Sequence, residues 1–170
     1  MLGTVLKGRC FMANIYIIDD DFAVEPLADS LSFLGHEVCR INSATKAFQE
    51  LDALAAADLV IIDIMMECPE GVSVRSAQGG LRTGYLLVGE LRKKNAKVPI
   101  IVYSGTQDAS LIKELRSTRT IRFVSKHAQP TRRDMLQIIS EVCGSAPANT
   151  LPTAFIVHGH DEEAKLALKN

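Results

Sequence analysis

The sequence predicts a doubly wound α/β domain built on a five-stranded parallel sheet. Three observations predict it. Short apolar runs alternate with helical patterns from Asn14 to Val142. The runs are nearly continuous in apolar residues, which marks strands buried on both faces. Four of the five runs also end at a polar residue able to carry chemistry: Asp19, Asp63, Ser104 or Lys126.

The first run is Ile15-Tyr16-Ile17-Ile18, closed by Asp19-Asp20-Asp21. Val24, Leu27, Leu31 and Leu34 then recur at helical spacing, and Gly35 supplies a stop. A short strand is expected at Glu37 to Ile41. Ser43 is placed to cap the next helix, whose Ala47, Leu51 and Leu54 share a face. The third strand is Leu59-Val60-Ile61-Ile62, ending at Asp63. The fourth is Val98 to Tyr103, ending at Ser104-Gly105, and the fifth is Ile121 to Val124, ending at Ser125-Lys126. Helical patterns cover Tyr85 to Lys94 and Asp108 to Ser117. A last helix carries Met135, Ile138, Ile139 and Val142 on one side. Strands alternating with helices imply right-handed crossovers and a parallel sheet.

One connection is long. Residues 67–82 separate the third strand from its helix, whereas most such loops have about 2–6 residues. Loops of this length are disordered or functional. If functional, Arg75 or Arg82 is the side chain expected to reach toward the site or a partner. After Gly144, the stretch Ser145-Ala146-Pro147-Ala148-Asn149-Thr150-Leu151-Pro152 has linker composition. Ala154-Phe155-Ile156-Val157 then resembles a new strand. The expected division is an N-terminal extension at 1–12, a domain at 13–143, a linker at 144–152 and the truncated start of a second domain at 153–170.

Composition narrows the function. The 170 residues carry a formal net charge of −1, with 47% hydrophobic and 23% charged residues. That balance gives no footprint for nucleic acid or a membrane surface. No apolar run reaches the roughly 18 residues of a membrane span, and no secretory signal is recognisable, so a cytoplasmic protein is expected. Cys10, Cys39, Cys68 and Cys143 have neither metal-ligand nor redox-pair spacing.

In open α/β sheets, ligands bind at the carboxyl ends of the strands. Asp19, Asp20, Asp63, Ser104 and Lys126 all fall there. Clustered carboxylates repel one another, and a hard cation such as Mg²⁺ relieves the repulsion through oxygen ligands. An aspartate can attack a phosphoryl group and become an aspartyl phosphate. A cation and a lysine then neutralise the group's equatorial oxygens, and a serine hydroxyl can donate to another. Helix capping alone would account for an aspartate after a strand, and Asp21 suits that role. Capping does not explain Ser104 and Lys126 at matching strand ends.

Four segments together resemble the receiver domain of two-component response regulators. They are Ile17-Ile18-Asp19-Asp20-Asp21, Ile61-Ile62-Asp63-Ile64-Met65-Met66, Pro99 to Gly105, and Phe123-Val124-Ser125-Lys126. The resemblance implies the flavodoxin-like strand order 2-1-3-4-5. It implies that Asp63 is the phosphoacceptor, and that Asp20, Asp63 and the Met65 carbonyl bind Mg²⁺ with Asp19 supporting through water. It assigns Ser104 and Lys126 to the phosphoryl group and Phe123 to the aromatic switch position. On phosphorylation Ser104 would be drawn inward and Phe123 would follow. The implied partner is a sensor histidine kinase or phosphotransfer protein, with dimerisation a family-level expectation. The module itself is not expected to be an enzyme.

The sequence departs from that family in three places, the smallest being Gly105 after Ser104, which opens access to the site. The glycine that follows the acceptor is displaced by the insertion to Gly84. Proline usually follows the lysine, often in a cis bond, but here it is His127, for which a cis bond costs about 2.5–4 kcal/mol. The turn, and with it Lys126, is therefore expected to sit differently. The segment Phe155-Ile156-Val157-His158-Gly159-His160-Asp161-Glu162-Glu163-Ala164-Lys165 resembles the opening of bacterial TIR-like predicted nucleotide-binding domains. Its His158 and His160 are too little to define a metal site. Two other readings stay open: a pseudo-receiver used for docking or dimerisation without phosphorylation, and a regulatory fragment of a TIR-like nucleotide-processing enzyme.

Overall fold

Five strands pair in parallel, in the order β2-β1-β3-β4-β5. The computed structural model describes residues 12–144, so most of the terminal extension, the linker and the TIR-like segment lie outside the described residues. The strands are β1 (Asn14–Ile18), β2 (Glu37–Ile41), β3 (Leu59–Ile62), β4 (Ile100–Ser104) and β5 (Ile121–Ser125). The helices are α1 (Glu25–Phe33), α2 (Ala44–Gln49), α3 (Leu51–Ala55), α4 (Thr83–Lys94), α5 (Ala109–Ser117) and α6 (Arg132–Val142). The doubly wound fold and its strand order are as expected.

Alternation along each strand divides the core into two layers. Val60 and Ile62 of β3 face a cluster with Leu54, Leu87, Leu91, Leu111 and Leu115, from α3, α4 and α5. Ile61 faces the other way, onto Leu27 and Leu31 of α1 and Met135 and Ile139 of α6. All four residues of β3 are buried, which is why the strand reads as an unbroken apolar run. Burying one such side chain stabilises by about 1.5–3 kcal/mol.

The helix ends follow local chemistry. Gly35 closes α1 with φ +90, and the amides of Gly35 and His36 donate to the carbonyls of Ser32 and Leu31. This is the paired C-terminal motif that favours glycine. The Asp108 carboxylate caps α5, and Thr131 and Asp134 form a reciprocal capping box on α6. Three expectations need correction. Ser43 occupies the N-cap position of α2, but its hydroxyl makes no capping bond. The helix expected after it is two helices, broken at Glu50. Strand β4 begins at Ile100 rather than Val98, because Pro99 has no N–H to give the ladder.

The 67–82 insertion is folded. Pro69, Ala77 and Gly80 are buried, and a 3₁₀ turn spans Gln78–Gly80. The Met66 amide donates to the Gly80 carbonyl at 3.2 Å, and the Arg82 amide donates to the Ala77 carbonyl at 2.9 Å. The buried side chains and these loop-closing bonds give the segment a fixed path back to α4.

The start of β1 carries a pH-sensitive contact. The Ala13 amide donates to His36 Nδ1 at 3.3 Å, and burial pulls the His36 pKa below its ordinary value. The neutral ring is the folded form. Its contribution is therefore complete above the unfolded pKa of about 6.5 and is lost as pH falls below it toward the depressed folded value. The ring is partly in water, so the effect is roughly a few tenths of a kcal/mol. Urea midpoints at pH 7.5 and 5.5 should differ less in His36→Gln than in wild type; an unchanged difference would remove this contact as a cause.

Candidate functional site

The register aligns the carboxyl ends of the strands. Ile18 pairs with Ile62, so Asp19 and Asp63 emerge side by side. Val102 pairs with Ile62 and Ser104 with Ser125, which sets Ser104 and Lys126 just beyond them. The strands bring four of the expected residues together. The Ser104 hydroxyl donates to Asp63 Oδ1 at 2.5 Å. Lys126 Nζ donates to Asp63 Oδ2 at 2.6 Å and to Asp19 Oδ2 at 2.8 Å. Met65 is tied to the same cluster through its amide, which donates to Asp63 Oδ1 at 2.9 Å. Asp63 is thus held by a hydroxyl, an ammonium and an amide.

Both carboxylates are nearly enclosed, with side chains 3% exposed for Asp19 and 7% for Asp63. Burial pushes the Asp19 carboxyl above its ordinary range, against the Lys126 and Asp21 hydrogen bonds that pull it down. Burial also pulls at the Lys126 ammonium, but its bonds to Asp19 and Asp63 outweigh that and raise its pKa. A charged lysine between two acids is the state the site favours. The site also depends on Gly84. A side chain at this first-turn position of α4 would overlap the Asp63 carbonyl oxygen, and the Gly84 amide donates to the Ile64 carbonyl at 2.9 Å.

Asp20 stands apart from the cluster. It is exposed, and its Oδ2 accepts from the Glu67 amide at 3.2 Å. Among the described residues, no three His, Cys, Asp or Glu side chains are gathered closely enough to cage an ion. The donor chemistry still fits a hard divalent cation: Asp19, Asp20 and Asp63 offer only oxygens, and Mg²⁺ needs one or two protein carboxylates and keeps several waters. The positive charge at this edge is supplied by Lys126.

Phe123 is buried on β5 opposite Val102, with the Arg116 guanidinium 5.5 Å from its ring centroid. Ser104 and Phe123, the two residues expected to move on phosphorylation, are both buried. No described peptide bond is cis, and a 3₁₀ turn spans Lys126–Ala128. From this turn Lys126 reaches both acids. Arg82 does not reach toward the site. It pairs with Asp108, while Arg75 is exposed.

A family model described as the response regulator receiver domain matches residues 15–139. The chain belongs to this family. Receiver domains are generally non-enzymatic signalling modules of two-component systems that interact with histidine kinases or phosphotransfer proteins and with effector domains, and they typically bind Mg²⁺ at an acidic pocket. Among solved structures, a CheY-like receiver domain protein from Methanospirillum hungatei JF-1 is 20% identical with a TM-score of 0.61. The match covers 79% of this chain and 95% of that one. The receiver domain of NtrX from Brucella abortus is 19% identical with a TM-score of 0.60, covering 78% and 100%. The chemotaxis response regulator CheY4 of Vibrio cholerae is 17% identical with a TM-score of 0.58, covering 78% and 99%. These likenesses carry the fold. No curated protein matches the chain.

Two contacts of this receiver domain were not foreseen. Arg82 joins the end of the insertion to the start of α5, and His127 Nε2 lies 2.8 Å from the Gly105 carbonyl. The second had a signal in the sequence, because His127 stands where the family usually has proline.

Proposed function

We propose that this receiver domain accepts a phosphoryl group on Asp63 and passes the resulting charge change to an effector. The observation that carries the reading is the surround of Asp63: a carboxylate at a strand end with Lys126, Ser104 and the Met65 amide as donors. In the step, an Asp63 oxygen bonds to phosphorus as the bond to the donor breaks. With a phosphohistidine donor, the electron pair of the P–N bond returns to the imidazole nitrogen. Lys126 stays protonated and faces the incoming negative charge, while Ser104 releases Asp63 and donates to a phosphoryl oxygen. Asp20, Asp63 and the Met65 carbonyl would hold Mg²⁺, with Asp19 behind them; when bound, it neutralises charge on the transferring group.

Incubation with acetyl phosphate and Mg²⁺, followed by intact mass, tests the reading. Wild type should gain one phosphoryl group and Asp63→Asn none. No gain on wild type, or an equal gain on the variant, would end it.

One observation favours a second reading, a pseudo-receiver that docks without phosphorylation: Lys126 bridges Asp19 and Asp63 while Asp20 faces the Glu67 amide. Mg²⁺ titration separates the two, since a pseudo-receiver would show no saturable binding at this edge.

The wider proposal keeps the division at residues 13–143, 144–152 and 153–170. A sensor histidine kinase or phosphotransfer protein would act as donor in the cytoplasm, and a TIR-like effector would follow the linker. Support for that effector is the resemblance of Phe155 to Lys165 alone.

A further inference from the structure

The segment that follows Ser104 is held at both of its ends by residues from elsewhere in the chain. Gly105 to Asp108 link β4 to α5, and Thr106 within them is buried. The Ser104 oxygen accepts from the Thr106 amide at 3.3 Å and from the Ile64 amide at 3.4 Å while its hydroxyl donates to Asp63. The placement of this short loop and of the Ser104 hydroxyl are therefore one problem.

At the near end, His127 Nε2 lies 2.8 Å from the Gly105 carbonyl oxygen. A carbonyl only accepts, so this nitrogen carries the hydrogen and donates. His127 is itself fixed, because its amide donates to Ser125 Oγ at 3.2 Å and the turn closes on Gln129 in the left-handed region. At the far end, Arg82 Nη2 donates to Asp108 Oδ2. The other oxygen of Asp108 accepts from the Ser110 and Leu111 amides, each at 3.0 Å, so Arg82 grips the start of α5 rather than a free side chain. Both groups are about one-quarter to one-third exposed, and Arg82 Nε is enclosed with no protein partner. The guanidinium is thus built into the fold at the root of the insertion.

We propose that Arg82 and His127 are positioning residues that hold the Ser104–Asp108 segment from two sides and keep the Ser104 hydroxyl on Asp63 before any phosphoryl group arrives. Each sits at a place where this chain departs from its family, one at the end of the insertion and one in the position of the usual proline. The consequence is a shifted balance. A ligand or modification moves a two-state element only by its differential interaction with the two states. A loop already held inward has little further to move when Asp63 is phosphorylated. The last step rests on the phosphoacceptor reading; the positioning does not.

The test is native-state amide exchange by NMR on the full chain, at the Ile64, Thr106 and Leu111 amides, with and without acetyl phosphate and Mg²⁺. Without donor, the double variant Arg82→Gln/His127→Ala should exchange at these amides on the order of tenfold faster than wild type, because a bond to a charged group and a neutral one are both lost. Arg82→Lys and His127→Gln keep a donor and should restore much of the protection. Asp108→Asn keeps a capping oxygen but loses the ion pair, so it should resemble Arg82→Gln and add little to it. With donor, the double variant should regain protection while wild type changes little. Wild-type protection in the double variant, or an equal loss in the donor-keeping variants, overturns the proposal. Failure of both proteins to take up phosphoryl would defeat the phosphoacceptor reading, and the donor-free exchange would still decide the positioning.

Discussion

Gly84→Ala is expected to destabilise this receiver domain by about 3 kcal/mol and to abolish phosphoryl uptake at Asp63, near the upper end of the cost of overpacking. The cause is proximity. The first turn of α4 lies against the end of β3, and an added Cβ would overlap the Asp63 carbonyl oxygen and stand 2.8 Å from both the Asp63 carbonyl carbon and Ile64 Cα. All three are backbone atoms, so no flexible side chain can move aside. Relief requires α4 to lift from the sheet or Asp63 to shift, and either disturbs the carboxylate. Gly89 in the same helix is the control. It is exposed, and a Cβ there meets nothing within 4 Å. Gly89→Ala should stabilise by about 0.5–1 kcal/mol through helix propensity alone. Urea denaturation of the two variants checks the pair, and similar midpoints would show that close approach is not what selects glycine at position 84.

The same stretch of chain divides what the sequence could disclose from what it could not. Leu59 to Ile62 is apolar on both faces, and that pattern needs no knowledge of neighbours to identify a buried parallel strand. Once strand ends were located, the sheet's register brought Asp19, Asp63, Ser104 and Lys126 to one edge. The insertion had no such regularity. Its order depends on Ala77 and Pro69 finding cover and on Gly80 at φ +102, and none of these recurs with a period. Arg82 and Asp108 are 26 residues apart, and their pairing follows from where α4 and α5 meet. Asp19 and Asp20 are adjacent in sequence with identical side chains, yet one is enclosed with Lys126 and the other is exposed beside Glu67. Periodicity locates a residue on an element; the direction and partner of a polar side chain come from the surrounding loops.

Lys126→Met should destabilise the divalent-free protein by about 3 kcal/mol at neutral pH, the lower part of the range for breaking a buried ion pair by removing one partner. Methionine fills much of the same volume, so the effect is mainly electrostatic. In the wild type one ammonium serves two carboxylates, and its side chain is 22% exposed while theirs are 3% and 7% exposed. Without it, the acids repel each other in an enclosed space, and burial acts on Asp19 with no opposing lysine. The Asp19 pKa then rises further above its unfolded value of about 3.9. A raised acid favours folding most below the unfolded pKa and loses that advantage as pH rises through the folded one. The deficit against wild type should therefore be widest near pH 7 and narrow toward pH 4. Mg²⁺ supplies an independent check. A cation that binds only the folded state stabilises it in proportion to the logarithm of its excess over Kd. Removing the competing ammonium should make that gain larger in Lys126→Met than in wild type. Urea midpoints in EDTA and in Mg²⁺, at pH 4.5 and 7, measure both effects. A deficit that does not change with pH would mean that lost packing rather than charge is responsible. A variant that gains no more from Mg²⁺ than wild type does would mean that the Lys126 ammonium does not compete with a cation at Asp63.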